Sequence, residues 1–134
     1  MSEEAAVLFA NDAFYNAFTT RDLEALEALW SRDAPVVCVH PGWAPLFGYQ
    51  DVMQSWANIL SAPTSPEIAC RDPKTHFLSE ETCMVTCYEI LGGGALVATN
   101  IFVKEGTDWR MVHHQASPAN VPPPPAQDPE PRLQ

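Results

Sequence analysis

Basic side chains are scarce in this sequence of 134 residues. Lys and Arg number 7 against 17 Asp and Glu, which gives a formal net charge of -10 at pH 7. No stretch gathers enough basic residues to reverse that charge locally, so a phosphate backbone would be repelled. Long apolar runs are also missing, since none approaches the roughly 20 residues that a membrane span requires. We therefore expect neither nucleic acid nor a membrane as a partner.

Several short motifs with a known chemistry are absent as well. The four cysteines include no CxxC pair, the opening residues are acidic where a signal peptide would be basic, and no GxSxG, P-loop or GxGxxG motif occurs. Buried free thiols are therefore expected rather than disulfides. We expect a cytoplasmic protein that uses no cofactor.

The first half of the chain is dominated by helical periodicity. Apolar residues recur at helical spacing after Ser2 and again after Asp22, and both residues are of the type that caps a helix N-terminus. A β-branched run at 35–40 predicts a strand, and the apolar face of residues 50–60 predicts a third helix.

The second half alternates as strands do. Four strands are predicted, at 67–78, 82–91, 95–104 and 109–116. Asp72-Pro73 interrupts the first of them, which predicts a bulge there. The order α-α-β-α-β-β-β-β predicts one α+β domain over residues 1–118, with a curved antiparallel sheet wrapped around three helices. The Pro-rich tail at 119–134 is expected to be a solvated end, with a ligand for an aromatic groove as the alternative.

The last two strands read as a hairpin around a Glu-Gly-Thr-Asp turn. If Lys104 pairs with Trp109, Phe102 lies opposite Met111, and the next inward pair is Asn100 with His113. Ala98 would then face Gln115, while His114 would point to the opposite face. The amide and the imidazole either line a small-molecule pocket or satisfy one another in a sealed core.

Several segments together resemble the nuclear-transport-factor-2-like superfamily, and within it the SnoaL-like group of small bacterial proteins. They are the Trp-x-x-Asp helix end at 30–33, the HPGW segment at 40–43, and the hairpin strands ATNxF and WRMVHHQAS, within a likeness that covers roughly residues 4–118. The resemblance implies a cone-shaped α+β fold, open at one end and usually dimerising through the outer sheet face. The superfamily includes both enzymes and non-catalytic assembly domains, so the fold alone does not fix the function.

Ketosteroid isomerase, a member of that superfamily, allows a comparison residue by residue. Its catalytic tyrosine corresponds to Phe14, and Tyr15 lies about 100° around the helix, so it is not expected to substitute. Its base corresponds to His40, and its protonated aspartic acid to Asn100. The resemblance therefore implies a changed site, and steroid isomerase activity is not expected.

The residues above, with their neighbours on the same faces, predict a mostly apolar pocket. Its candidate catalytic groups are His40, Asn100 and His113. Its other predicted lining residues are Phe14, Phe18, Cys38, Trp43, Trp56, Cys87, Glu89, Phe102 and Gln115. Glu89, if it lies inside, would have a raised pKa and would be a second acid or base. His40, His113 and Cys38 lack the spacing of a metal site, so no metal is expected.

Two functions fit such a pocket. The first is non-catalytic binding of a small hydrophobic molecule. The second is an isomerase, dehydratase or cyclase acting on a hydrophobic carbonyl compound, with His40 or His113 as the general base and Asn100 as the oxyanion donor. In either case a homodimer through the convex sheet face is expected, because one curved sheet leaves that face partly apolar.

Overall fold

The computed structural model describes residues 1–64, 67–120, 122 and 124–126. Three helices and six strands follow one another in the order α1 (Glu3–Thr19), α2 (Leu23–Leu29), β1 (Val37–Val39), β2 (Leu46–Phe47), α3 (Tyr49–Ser61), β3 (Ala69–Ser79), β4 (Thr82–Leu91), β5 (Gly94–Glu105) and β6 (Asp108–Pro118). The predicted α+β class with three helices is confirmed. The additional strand, β2, is only two residues long, too short for an alternating pattern to reveal it.

Both predicted helix caps are confirmed. The side chain of Ser2 accepts a hydrogen bond from the backbone N–H of Ala5, and that of Asp22 accepts one from Ala25, each at 3.1 Å. These bonds satisfy backbone donors that a helix leaves unpaired at its start. Helix α1 is buried over a wide arc of its circumference. Its buried residues are Val7, Ala10, Asn11, Phe14, Tyr15, Ala17 and Phe18. In the part of the chain that the structure describes, no helix is long and apolar enough to cross a membrane.

The sheet is mixed rather than wholly antiparallel. Its strand order is β2-β1-β6-β5-β4-β3, and β1 pairs in parallel with β6 while all other neighbours are antiparallel. A parallel neighbour is accessible to β1 because α3 and four further strands separate it from β6 along the chain. The predicted irregularity in β3 is confirmed, since its register with β4 shifts between Arg71 and Lys74 and Asp72 has a φ of 55°.

The two sheet faces differ in character. Alternate residues of β4 and β5 point inward and are buried against the helices, namely Cys83, Val85, Cys87, Glu89, Ala98, Asn100 and Phe102. The residues between them point outward and are only half-buried, or exposed in the case of Val97. The core and any enclosed site therefore lie between the concave face of the sheet and the helices.

The β5–β6 hairpin corrects one sequence prediction. Lys104 lies opposite Trp109 and Phe102 opposite Met111, as predicted, but Asn100 lies opposite His114 and not His113. The register shifts between Ile101 and Phe102, which leaves Val112 as an extra residue on β6. Such a β-bulge exchanges the two faces for every residue beyond it.

The same shift corrects the pairing further along β6. Ala98 faces the buried Ala116, while Gln115 lies opposite Thr99 and is exposed. His113 is half-buried and pairs with Ile101, on the outward face. His114 is therefore the imidazole that β6 places inside the fold.

Candidate active site or binding cavity

A cavity of about 430 Å³ lies between α1, α3 and the concave face of the sheet. Its lining consists of Phe14, Tyr15, Phe18, His40, Pro41, Trp43, Trp56, Ile59, Ile68, Glu89, Leu91, Leu96 and His114. The volume is in the range of small-molecule sites, and the wall is mostly apolar with a few polar groups.

The cavity contains six of the residues that the sequence singled out, Phe14, Phe18, His40, Trp43, Trp56 and Glu89. Sequence reasoning missed Tyr15 and His114. Four predicted lining residues, Cys38, Cys87, Asn100 and Phe102, are buried but do not line it. His113 and Gln115 do not line it either, since the bulge in β6 turns them away.

Glu89 is the acidic group of the cavity. The alternation of β4 places it inside, where its side chain is 3% exposed, and its Oε2 accepts a hydrogen bond from the Tyr15 hydroxyl at 2.7 Å. Burial raises the pKa of Glu89, and the hydrogen bond from Tyr15 opposes part of that rise. Tyr15 lies inside the cavity together with Phe14 despite the 100° between them, because both residues fall within the wide buried arc of α1.

Asn100 organises the polar groups behind the cavity wall. It is fully buried, and its Nδ2 donates to Asn11 Oδ1 at 2.9 Å and to the Tyr15 hydroxyl oxygen at 3.2 Å. Its Oδ1 accepts from Nδ1 of His114 at 2.6 Å. Both amide hydrogens are thus engaged by the protein, and Asn100 acts by positioning Tyr15 and His114.

His114 turns its second ring nitrogen toward the carboxyl group. Because Nδ1 donates to Asn100, Nε2 carries the lone pair, and it lies 3.9 Å from Glu89 Oε2. Burial lowers the pKa of His114 to about 3, helped by the nearby His40 and His113. The imidazole is therefore neutral at neutral pH.

His40 comes from the end of β1 and contacts α3. The hydroxyl of Ser55 donates to the Val52 carbonyl at 2.7 Å, so His40 Nε2, 2.9 Å from that hydroxyl oxygen, must be the donor. The other nitrogen, Nδ1, then keeps its lone pair. Burial lowers the pKa of His40 to about 4.

Cys38 lies next to His40 without forming an ion pair. Its Sγ is 3.6 Å from His40 Nε2, but burial raises the pKa of this thiol to about 12, so it stays protonated. All four cysteines are free, as predicted. Among the residues that the structure describes, no three His, Cys, Asp or Glu side chains are arranged to hold a metal ion.

The aromatic wall is built from rings in edge contact. Phe14 and Phe18 meet Trp56 at centroid distances of 5.4 and 6.1 Å, and His40 lies 4.7 Å from Trp43 and 4.8 Å from Trp56. Trp43 reaches this position because its backbone N–H donates to the His40 carbonyl at 2.9 Å, closing the turn between them. The wall therefore spans α1, α3 and the loop after β1.

Comparison with known proteins places this fold in a family. The family model described as a SnoaL-like domain matches residues 7–121 of this chain. The chain belongs to the SnoaL-like family. A candidate dehydratase of the NTF2-like family from Streptomyces avermitilis is similar in structure, with 31% identity and a TM-score of 0.78 over 87% of this chain and 96% of that one. The resemblance to the nuclear-transport-factor-2-like superfamily is thereby confirmed.

Two further proteins that are similar to this SnoaL-like chain are not named as dehydratases. A candidate association domain of calcium/calmodulin-dependent protein kinase type II from Thiobacillus denitrificans is 33% identical, with a TM-score of 0.71 over 83% of this chain and 93% of that one. The F-box protein SKIP8 of Arabidopsis thaliana is 27% identical over 113 residues, 84% of this chain and 49% of that protein. The chain thus spans about half the length of this curated relative.

Proposed function

We propose that this SnoaL-like domain binds a small, mostly apolar molecule in the cavity between α1, α3 and the sheet. The observation that carries the proposal is a cavity of about 430 Å³ with aromatic walls, in which Glu89, His40 and His114 converge. Apolar cavities that hold a few convergent polar groups are the usual form of a small-molecule site.

The cavity wall also suggests how a ligand would lie. Glu89 and His114 approach one another at 3.9 Å, while Phe18, Trp43 and Trp56 contribute apolar surface. A ligand with one polar end would place that end at Glu89 and its hydrocarbon part among the rings, since apolar surface contributes about 25 cal/mol per Å² buried.

Titration of the ¹⁵N-labelled protein with three single-ring probes tests this function. The probes are 2-phenylethylamine, 2-phenylethanol and acetophenone, and the proposal expects at least one to shift the resonances of cavity residues saturably. Leu96→Trp should abolish the shifts by filling the cavity, because Leu96 lines it. Leu78→Trp is the matched control, since it makes the same substitution at an exposed leucine of β3 that does not line the cavity. No saturable shift with any probe would overturn the proposal.

A second function, acid–base catalysis of an elimination, is favoured by a separate observation. His40, a neutral imidazole whose Nδ1 is contacted only by the Cys38 thiol at 4.0 Å, and Glu89, a carboxyl group with a raised pKa, line the same cavity. The dehydratase name of the 31% identical Streptomyces avermitilis structure points the same way. Asn100 would serve here by positioning Tyr15, because its own hydrogens are already donated.

Dehydration of 4-hydroxy-4-phenyl-2-butanone to the conjugated ketone tests the second function by ultraviolet absorbance. His40 would remove the proton next to the carbonyl, and protonated Glu89 would protonate the departing hydroxyl group, which leaves as water. We expect turnover to fall at least 100-fold in His40→Gln and in Glu89→Gln. Equal rates in both variants and the parent protein would eliminate this function.

We further propose that the chain forms a homodimer through the outward face of β4, β5 and β6. That face carries half-buried or exposed apolar residues, including Met84, Tyr88, Ile90, Val97 and Ile101. The association-domain name of the 33% identical Thiobacillus denitrificans structure also supports self-association. Sedimentation at micromolar concentration should give a dimer that Ile101→Asp dissociates. Phe9→Asp, at an exposed position on α1, should leave it intact, and a monomeric parent protein would refute the proposal.

A further inference from the structure

We propose that the molecule bound in this cavity is a protonated lipophilic amine. This inference rests on the proposed binding function and names the chemical class of the ligand. It follows from counting which hydrogen-bonding atoms around the cavity are already used and which remain.

The hydroxyl and imidazole donors around the cavity are used within the protein. The Tyr15 hydroxyl donates to Glu89, and the Ser55 hydroxyl donates to the Val52 carbonyl. The imidazoles are committed in the same way, since His40 donates from Nε2 to Ser55 and His114 donates from Nδ1 to Asn100. The indole groups are the exceptions, since the N–H of Trp56 is buried without an acceptor among the described residues and Trp43 is an exposed residue of the wall.

The atoms that remain on the carboxyl group and the imidazoles are acceptors. Glu89 uses Oε2 for Tyr15, and no described side chain donates to its Oε1. Nε2 of His114 keeps its lone pair beside this carboxyl group, while the lone pair on Nδ1 of His40 has only the weak thiol donor of Cys38, at 4.0 Å. A ligand that satisfies such a set must bring hydrogens, and an ammonium group has N–H donors and no acceptor.

The carboxyl group also lacks a cationic partner. Among the residues that the structure describes, no Lys or Arg lines the cavity, and both imidazoles are neutral at neutral pH. A buried carboxylate without a counter-charge is costly, and an ammonium ion would supply that charge. The neutral imidazoles would not repel it.

The rest of the molecule favours a cation as well. Rings of Phe14, Tyr15, Phe18, Trp43 and Trp56 line the cavity, and the faces of such rings attract organic cations within about 6 Å. The formal net charge of -10 gives the whole surface a field that draws cations toward it. A carbonyl ligand, by contrast, would find acceptors facing its own oxygen unless Glu89 were protonated.

Calorimetric titration at pH 7.5 with 2-phenylethylamine, 2-phenylethanol and acetophenone tests the inference. These probes share a phenyl ring and differ in the polar group. The ammonium group of 2-phenylethylamine is a cationic donor, the hydroxyl group of 2-phenylethanol is a neutral donor and acceptor, and the carbonyl group of acetophenone is an acceptor only. We expect the amine to bind at least tenfold more tightly than the ketone, as charge-assisted hydrogen bonds imply. Glu89→Gln should remove this preference, whereas Glu24→Gln changes the net charge equally at an exposed position and should preserve it.

Each outcome of this titration decides between the two proposals. Equal or tighter binding of the ketone would overturn the amine inference while leaving the proposed binding function in place. An amine preference that survives in Glu89→Gln would overturn it too, because the preference would then arise elsewhere. Binding of no probe would refute the binding function and the inference together.

Discussion

Replacement of Asn100 by alanine should destabilise the fold far more than its size suggests. The side chain is fully buried and joins α1 to β6 through Asn11, Tyr15 and His114. Its removal leaves two buried groups without partners, the Nδ1–H of His114 and the Oδ1 of Asn11. Tyr15 is less affected, because its hydroxyl still donates to Glu89.

The expected magnitude follows from those two groups. A buried polar group that loses its partner costs roughly 1–3 kcal/mol, so the pair together costs about 4 kcal/mol. That is a large share of the roughly 5–15 kcal/mol by which a domain is stable. With a urea slope of about 2 kcal/mol per molar, the midpoint of unfolding should fall by about 2 M.

Urea unfolding followed by tryptophan fluorescence measures this difference. Asn16→Ala is the matched control, since Asn16 lies on the same helix as Tyr15 but is exposed, and its free energy of unfolding should change by less than about 0.5 kcal/mol. A loss below about 1 kcal/mol for Asn100→Ala would refute the positioning role, because it would show that the network contributes little to the fold.

Two further predictions concern pH. The pKa of His40 falls from 6.5 to about 4 on folding, so the unfolded state binds more protons between these values. Stability should fall as pH drops from 6.5 to 4, by up to about 3 kcal/mol from this residue, and the dependence should weaken in His40→Gln by urea unfolding at each pH. The pKa of Glu89 is raised on folding, so its contribution is fully present below pH 4.5 and is lost as pH rises through the folded value. Glu89→Gln should therefore gain stability relative to the parent protein between pH 4 and pH 7.5, and a constant difference across that range would contradict a raised pKa.

The helices and the outer pairs of the β5–β6 hairpin could be predicted because their signals are local. Ser2 and Asp22 are capping residues at the right distance from an apolar stripe, and the turn after Glu105 fixes the pairing of Lys104 with Trp109. Such features depend on neighbours within a few positions, which a single sequence displays.

The interior of the site could be predicted only in part, because it depends on two non-local features. The bulge at Val112 exchanges His113 for His114, and nothing in the alternating sequence of β6 marks where an extra residue is tolerated. The sheet curves around α1 far enough to bury Phe14 and Tyr15 together, so the 100° between them does not separate inside from outside. Neither effect can be read from spacing along one element.

A crystal structure of the protein with 2-phenylethylamine would test most directly whether the cavity binds a small molecule. We expect the ring of the probe to lie among Phe14, Phe18 and Trp56, with its nitrogen within hydrogen-bonding distance of the Glu89 carboxylate. A cavity that stays empty at saturating amine, and equally empty with 2-phenylethanol and with acetophenone, would contradict the proposed function.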